Sequence, residues 1–209
     1  MLNIWANHLN NLTDARYFAA ADAAYISFEL DPNARNPIAA NTAEGIRGWI
    51  EGPKIVGCFG LVQTPDEIRS IAEMLRLDAV QVSHHYDVTT LQGLNVVLHV
   101  RIDEHTSICE LERMMAEYAP FVQAFIFDFL PNHLVLEQVK YGATLAWAHI
   151  EALLALYPIW FYYNMKAADI PELKNMRIEG VVLQGGDEER VGLKNFDDLD
   201  DIIEALGSL

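Results

Sequence analysis

Residues 54–83 read KIVGCFGLVQTPDEIRSIAEMLRLDAVQVS, and this stretch decides the fold. It opens with a short apolar run, Lys54–Gly60, of strand length. Thr64-Pro65-Asp66-Glu67 follows, a capping box with proline at the first helical position. Ile68, Ile71, Ala72 and Leu75 then keep the i, i+3, i+4, i+7 spacing of one buried helix face. A second apolar run, Ala79–Ser83, closes the unit. Strand, helix, strand in that order is the signature of two parallel strands.

Working outward, the same alternation continues in both directions. Further candidate strands are Leu2–Ala6, Ala23–Phe28, Asn95–Ile102, Ala124–Phe129, Ile159–Tyr163 and Gly180–Gln184, which brings the number to eight. Asn41 with Glu44, Ser107 with Glu110, and Asp169 with Glu172 repeat the cap signal. The last helix puts Leu199, Ile202, Ile203 and Leu206 on one face. Its Asp197-Asp198 and Asp200-Asp201 pairs favour the helix N-terminus. At ~25 residues per unit, 209 residues fit a trimmed α/β fold of the (β/α)8 TIM barrel type, one domain spanning residues 1–209. A doubly wound open sheet needs a glycine-rich loop after its first strand, and Asn7-His8-Leu9-Asn10-Asn11 has no glycine.

Composition narrows the function classes. Hydrophobic residues make up 52% of the chain, enough for a proper core. Acids outnumber bases 30 to 14, a formal charge of −16, so nucleic acid and anionic membranes are poor partners. No signal peptide or transmembrane run is visible, and a cytoplasmic location is expected. Cys58 and Cys109 are the only thiols, with no C-x-x-C spacing. Cys58 reads as a buried structural thiol in an apolar run, and Cys109 as another on a helix. Trp147 and Trp160 read as core. His8, His84, His85, His105 and His133 follow predicted strands, and His99 points inward. They show no H-x-H or H-E-x-x-H spacing, so neither a metal nor another cofactor is expected, and solvated loop histidines are the favoured account.

Several short segments form an ordered set. Asn3-Ile4-Trp5-Ala6 stands over K-I-C-G, and Asn11-Leu12-Thr13-Asp14-Ala15 over N-L-x-D-A. Ala21-Asp22-Ala23 with Phe28 matches A-D-A-x-G-F-x-F, and Asn33-Ala34-Arg35 lies over S-x-R. Val56-Gly57-Cys58-Phe59 matches V-G-V-F, and Asp78-Ala79-Val80-Gln81 matches N-A-V-Q. Asp128 falls on an aspartate ending the sixth strand. Thr144 and Trp147 fit T-F-D-W. Gly185-Gly186 and Gly192-x-Lys194 fit S-S-G-V-E and P-G-x-K-D. In this order the chain resembles phosphoribosylanthranilate isomerase, a ribulose-phosphate-binding barrel of tryptophan biosynthesis.

That resemblance implies an Amadori rearrangement, an aldose–ketose isomerisation of an anthranilate phosphoriboside. A carboxylic acid protonates the ring oxygen and a cysteine thiolate removes the C2 proton, both at the C-terminal rim of the barrel. By the resemblance Asp128 is the general acid, Arg35, Gln81 and Ser83 bind substrate, and Gly185 and Gly186 bind phosphate. Trp5 occupies the cysteine position, and an indole N–H cannot act as a base. Trp5 is therefore expected to fill the barrel mouth. Asn3 replaces a lysine, Tyr25 a glycine, Ser83-His84 an H-G, and Tyr163-Asn164-Met165 the S-G-G of a phosphate nest.

The expectation is a diverged isomerase, with weak or no activity, that binds a small molecule such as a phosphosugar or an aromatic acid. Two alternatives stay open: a catalytically silent barrel working through protein contacts, as in a homodimer, and a different enzyme using rim histidines. Asp128 can serve as the acid or can pair with Arg101 across neighbouring strands, which would spoil it as one.

Overall fold

The computed structural model describes residues 2–103, 105–132, 134–141, 145–190 and 193–207. The matched residues Thr144 and Gly192, and His133, lie outside them. Eight parallel strands close into a barrel in sequence order: β1 (Asn3–Leu9), β2 (Tyr25–Glu29), β3 (Lys54–Phe59), β4 (Ala79–Ser83), β5 (Val96–Arg101), β6 (Ala124–Asp128), β7 (Ile159–Tyr162) and β8 (Gly180–Leu183). β8 pairs back onto β1 through Asn3 with Gly180 and Trp5 with Val182. The eightfold barrel expected from the apolar runs is the observed architecture.

Helices α1 (Leu12–Ala20), α2 (Ala40–Arg47), α3 (Pro65–Leu75), α4 (Ile108–Tyr118), α5 (Leu136–Tyr141), α6 (Trp147–Leu156), α7 (Ile170–Leu173) and α8 (Asp197–Gly207) fill the connections. The connection from β4 to β5 is trimmed to a single 3-10 turn, Val88–Leu91. A small antiparallel pair, β9 (Asp187–Arg190) and β10 (Leu193–Asn195), stands between β8 and α8. Among the described residues, no helix is long and apolar enough to cross a membrane.

The caps divide into those that form and those that do not. Thr64 builds the full box on α3: its Oγ1 accepts from the Glu67 amide at 3.3 Å, and Glu67 Oε2 accepts from the Thr64 amide at 2.7 Å. Asn11 caps α1 by accepting from the Asp14 amide at 2.9 Å. The other expected caps shift. α2 starts before Asn41, after Ala39, and Ser107 makes no side-chain cap bond on α4. Asp169 instead accepts from the Lys166 amide, one turn earlier than expected.

Every second strand residue faces the barrel axis. The lower interior holds Trp5, Val56, Ala79, Val97, Ala124, Trp160 and Val182 in one apolar cluster. Trp5 stacks on Tyr25 at 4.5 Å and meets Trp160 edge-on at 5.3 Å. Its Nε1 donates to Ser27 Oγ at 3.3 Å. Trp5 therefore does not stand at the mouth as expected; it is fully buried one layer below. Asn3 lies lower still, donating to the Glu179 carbonyl at 2.9 Å, so it is not a rim residue either.

The reason is a bulge in β1. Between Ala6 and Leu9 the first strand advances three residues while its partner advances two, from Ile26 to Phe28. His8 carries the extra residue at φ +54°, a left-handed conformation costly for a residue with a β-carbon. The bulge lets Asn7 and His8, neighbours in sequence, both serve the mouth.

Candidate active site

The rim layer is built from one inward residue of each of the strands β1 to β7 and from Gln184, the residue just after β8. Asn7, Glu29, Cys58, Gln81, His99, Asp128, Tyr162 and Gln184 follow the strand order round the mouth, with His8 added by the bulge. Two cavities open here and share Gln184 and Gly185. One, of about 590 Å3, lies between the ends of β7 and β8 and the start of α8. The other, of about 420 Å3, lies over β1 and β2 and is lined by Asn7, His8, Glu29, Asp14 and Arg35 among others. Both have the size of small-molecule sites.

On one side of the mouth, His8 Nδ1 is hydrogen-bonded to Glu29 Oε2. The Cys58 thiol donates to Asn7 Oδ1 at 3.6 Å. Burial alone would lower the His8 pKa, but Cys58 and Glu29 outweigh it and raise it to about 10. Ser27 ties the bulge down: its Oγ accepts from the His8 amide at 3.2 Å and bonds Asn7 Oδ1 at 2.5 Å. Cys58 is buried, as expected for a structural thiol. It ends an inward-facing row among polar partners. Cys109, expected to be buried, is exposed.

On the other side, His99 Nε2 and Asp128 Oδ2 are 3.0 Å apart. Asp128 Oδ1 accepts from the Leu130 amide at 2.9 Å. Although Arg101 and Asp128 are register partners, Asp128 pairs with His99 and not with Arg101. Arg101 turns outward to a separate pocket of about 380 Å3 with His84, His85, His105 and Asp103. The His8 and His99 rings approach each other edge-on at 6.2 Å, so the two sides form one constellation. Tyr162, to which Gln184 Nε2 donates, has its pKa raised by burial and then by Asp128.

The remaining sequence candidates divide by position. Arg35 is exposed on the wall of the β1–β2 cavity, where a guanidinium can meet a carboxylate. Gln81 is buried in the rim layer, next to Cys58 in register. Ser83 lies at the rim of β4 but accepts from the His85 amide at 3.3 Å. Gly185 and Gly186 pass over Asp14: the Gly186 amide donates to Asp14 Oδ1 at 3.3 Å, and a β-carbon on Gly185 would meet that carboxylate at 2.2 Å. After β7, Tyr163 is buried and its hydroxyl donates to Asp169 at 3.1 Å. His8 and His99, expected to be solvated or merely inward-pointing, are both partly buried and paired with carboxylates. Among the described residues, no group of three or more His, Cys, Asp or Glu is arranged to hold a metal ion.

Residues 6–205 match the family described as N-(5'-phosphoribosyl)anthranilate (PRA) isomerase. The match begins one residue after Trp5 and includes Asn7. Solved structures agree on the fold. The phosphoribosyl anthranilate isomerase of Thermus thermophilus is 20% identical, with 98% of each chain covered and a TM-score of 0.73. That of Thermotoga maritima is 19% identical, with both chains fully covered and a TM-score of 0.77. A phosphoribosyl anthranilate isomerase in complex with reduced 1-(o-carboxyphenylamino)-1-deoxyribulose 5-phosphate is 18% identical, with full coverage of both chains and a TM-score of 0.77. No curated protein sequence matches this chain.

Proposed function

The chain belongs to the phosphoribosylanthranilate isomerase family, and from this premise we propose that it keeps an acid–base pocket for a small molecule at the barrel rim while rearranging phosphoribosylanthranilate weakly or not at all. The observation that carries this reading is the side chain at the rim end of β1. Asn7 reaches the mouth there, and a carboxamide takes up no proton near neutral pH. A general base is typically worth ~10²–10⁴-fold, so its absence from β1 is a severe loss for the family reaction.

Phosphate binding is weakened in the same direction. Tyr163-Asn164-Met165 supplies no glycine backbone after β7, and the Gly186 amide already serves the Asp14 carboxylate. What supports a retained pocket is the survival of the other half: Asp128 at the end of β6, paired with His99, and Arg35 on the cavity wall. The aromatic carboxylate end of an anthranilate-like ligand fits this pattern better than its phosphate end.

Steady-state turnover of phosphoribosylanthranilate by the purified protein is the test. The expected kcat/KM falls below the ~10⁴ M⁻¹ s⁻¹ that marks the lower edge of ordinary enzymes. A value inside the ordinary range overturns the reading. A thermal-shift series with aromatic acids and sugar phosphates tests the retained pocket; saturating ligand should add a few kcal/mol, about 2.7 at one hundred times Kd.

A further inference from the structure

The loops that follow β4 and β5 meet the start of α4 around a cavity of about 380 Å3 that shares no lining residue with the two cavities at the mouth. His84, His85, Arg101, His105 and Arg113 line it. In a chain with 7 histidines and 14 lysines and arginines against 30 acids, this gathering reverses the overall charge locally. Two acids line the cavity as well, Asp103 and Glu110. Asp103 is engaged within its own loop: Oδ1 accepts from the His105 amide at 2.9 Å and from the Thr106 hydroxyl at 3.2 Å. Glu110 is exposed on the first turn of α4. Among the described residues no ion pair involves Arg101 or Arg113, so both planar forks of donors are available to a ligand. Ser107, the N-cap of α4, lines the same cavity and makes no side-chain cap bond, which leaves the positive end of this 11-residue helix beside the arginines. His84 Nδ1 lies 3.4 Å from the His99 carbonyl; with the proton there, Nε2 is the atom left to serve the cavity. The His84 and His85 rings stand 3.9 Å apart, so two imidazolium charges repel each other unless an anion lies with them.

We propose that this cavity, separate from the barrel mouth, is an oxyanion site that takes the dianionic phosphate group of a small phosphorylated molecule. Arg101 and Arg113 supply permanent charge and matched donors for the phosphate oxygens. The histidines add charge as they protonate. With no anion bound, burial and then His85 hold His84 below its ordinary value of 6.5; His99 acts in the same direction, and the His99 carbonyl and Asp103 act against it. A bound dianion reverses that balance and favours the imidazolium. Affinity therefore rises as pH falls into and below the region of 6.5. The cavity is larger than a phosphate group alone and leaves room for the short carbon chain of an ester. An extended polyanion meets the repulsion of the remaining acidic surface, whereas a small dianion meets only the local field.

The test reads binding, not turnover, so it is independent of whether phosphoribosylanthranilate is a substrate. Sulfate is the first probe, because it stays a dianion across the range in which histidine titrates. It is titrated into the full-length protein by calorimetry, with ionic strength held constant by chloride. Saturable binding to one site is expected at about pH 5.5, weakening about tenfold or more by about pH 8. Arg101→Gln combined with Arg113→Gln weakens binding about tenfold or more at both pH values. Both arginines are exposed, so the melting temperature of that variant stays that of the native protein. His84→Asn combined with His85→Asn removes the gain at low pH and leaves binding at about pH 8 within about twofold. Arg35→Leu, on the wall of a different cavity, leaves binding unchanged. Glycerol 3-phosphate then binds at least as tightly as inorganic phosphate. Four results overturn the proposal: no saturable binding, equal binding by the native protein and the double-arginine variant, a low-pH gain that survives in the double-histidine variant, or loss of binding in Arg35→Leu, which puts the anion at the mouth. Binding of inorganic phosphate with exclusion of glycerol 3-phosphate overturns the assignment to a phosphorylated molecule.

Discussion

Replacing Trp5 by alanine separates a core role for this residue from a role at the mouth. The indole is fully buried, stacked at 4.5 Å on Tyr25 and edge-on at 5.3 Å to Trp160. Removing a buried tryptophan costs about 3–5 kcal/mol through lost transfer and the cavity left behind. The aromatic pairs add to the larger end of that range, each worth roughly 0.5–1.5 kcal/mol beyond area. The bond from Nε1 to Ser27 Oγ is long, at 3.3 Å, and adds little. A total of about 4 kcal/mol, with a urea slope of about 2 kcal/mol/M, lowers the unfolding midpoint by about 2 M. Urea titration followed by far-UV circular dichroism reads this directly. Ligand affinity at the rim should stay within about twofold, since neither rim cavity is lined by Trp5. A midpoint shift below about 0.5 M, or a tenfold gain in ligand affinity or turnover in Trp5→Ala, would refute the reasoning, because either result means that the indole was closing the mouth.

Other substitutions probe the rim itself. Asp128→Asn removes the charge that His99 faces at 3.0 Å, and any rim reaction measured by steady-state kinetics should fall by about 10²–10⁴-fold with the fold retained. Arg35→Leu should abolish the thermal shift given by aromatic carboxylates and leave the melting temperature of the free protein unchanged, since Arg35 is exposed. The pH dependence of stability follows from His8, whose pKa in the fold is about 10 against 6.5 in the unfolded chain, with Cys58 and Glu29 outweighing burial. Its contribution is complete below pH 6.5 and is lost as pH rises through about 10, so unfolding free energy falls across that window and His8→Asn flattens the slope. Gly180→Ala would drive a β-carbon to 2.2 Å from the Asn3 carbonyl and 2.6 Å from the Trp160 ring. A loss of about 1–3 kcal/mol in denaturant unfolding is expected from overpacking at that point.

The strands could be placed from sequence because parallel strands buried on both faces read as continuous apolar runs. Ala79–Ser83 matches β4 to the residue, and Lys54–Gly60 exceeds β3 by one. The same property hid the site. A run such as Lys54–Phe59 has no polar alternation to say which residues face the axis, so Cys58 reads as core when it ends the inward row through Val56. The caps were legible where a box is complete, as at Thr64 and Glu67, and failed where a lone polar residue stood near a helix start, as at Asn41. The pairing of Asp128 depended on side-chain direction rather than register. Arg101 is its partner across the strands, yet His99, one pleat lower on the same face, is the residue that reaches it.

The largest displacement between sequence and structure comes from a single inserted residue. A strand that alternated strictly through Asn3, Trp5, Asn7 and Leu9 would turn His8 away from the axis, toward the helices, and leave Glu29 without its imidazole. The bulge between Ala6 and Leu9 breaks that alternation. Bulges with glycine announce themselves in composition, but this one is made by a histidine in the left-handed region, for which the sequence offers no signal. The strain is offset locally by Ser27, which accepts from the His8 amide, and by the pairing of the ring with Glu29. The formal charge of −16 is then less of an obstacle to an anionic ligand than it first appears on the sequence. At the mouth Glu29 is paired with a protonated His8, and Asp14, the other acid of the cavity wall that carries Arg35, accepts from the Asn11 side chain and the Gly186 amide. A carboxylate small enough to reach Arg35 meets a cavity in which protonated His8 and Arg35 stand against Glu29 and Asp14, a local balance that whole-chain charge does not reveal.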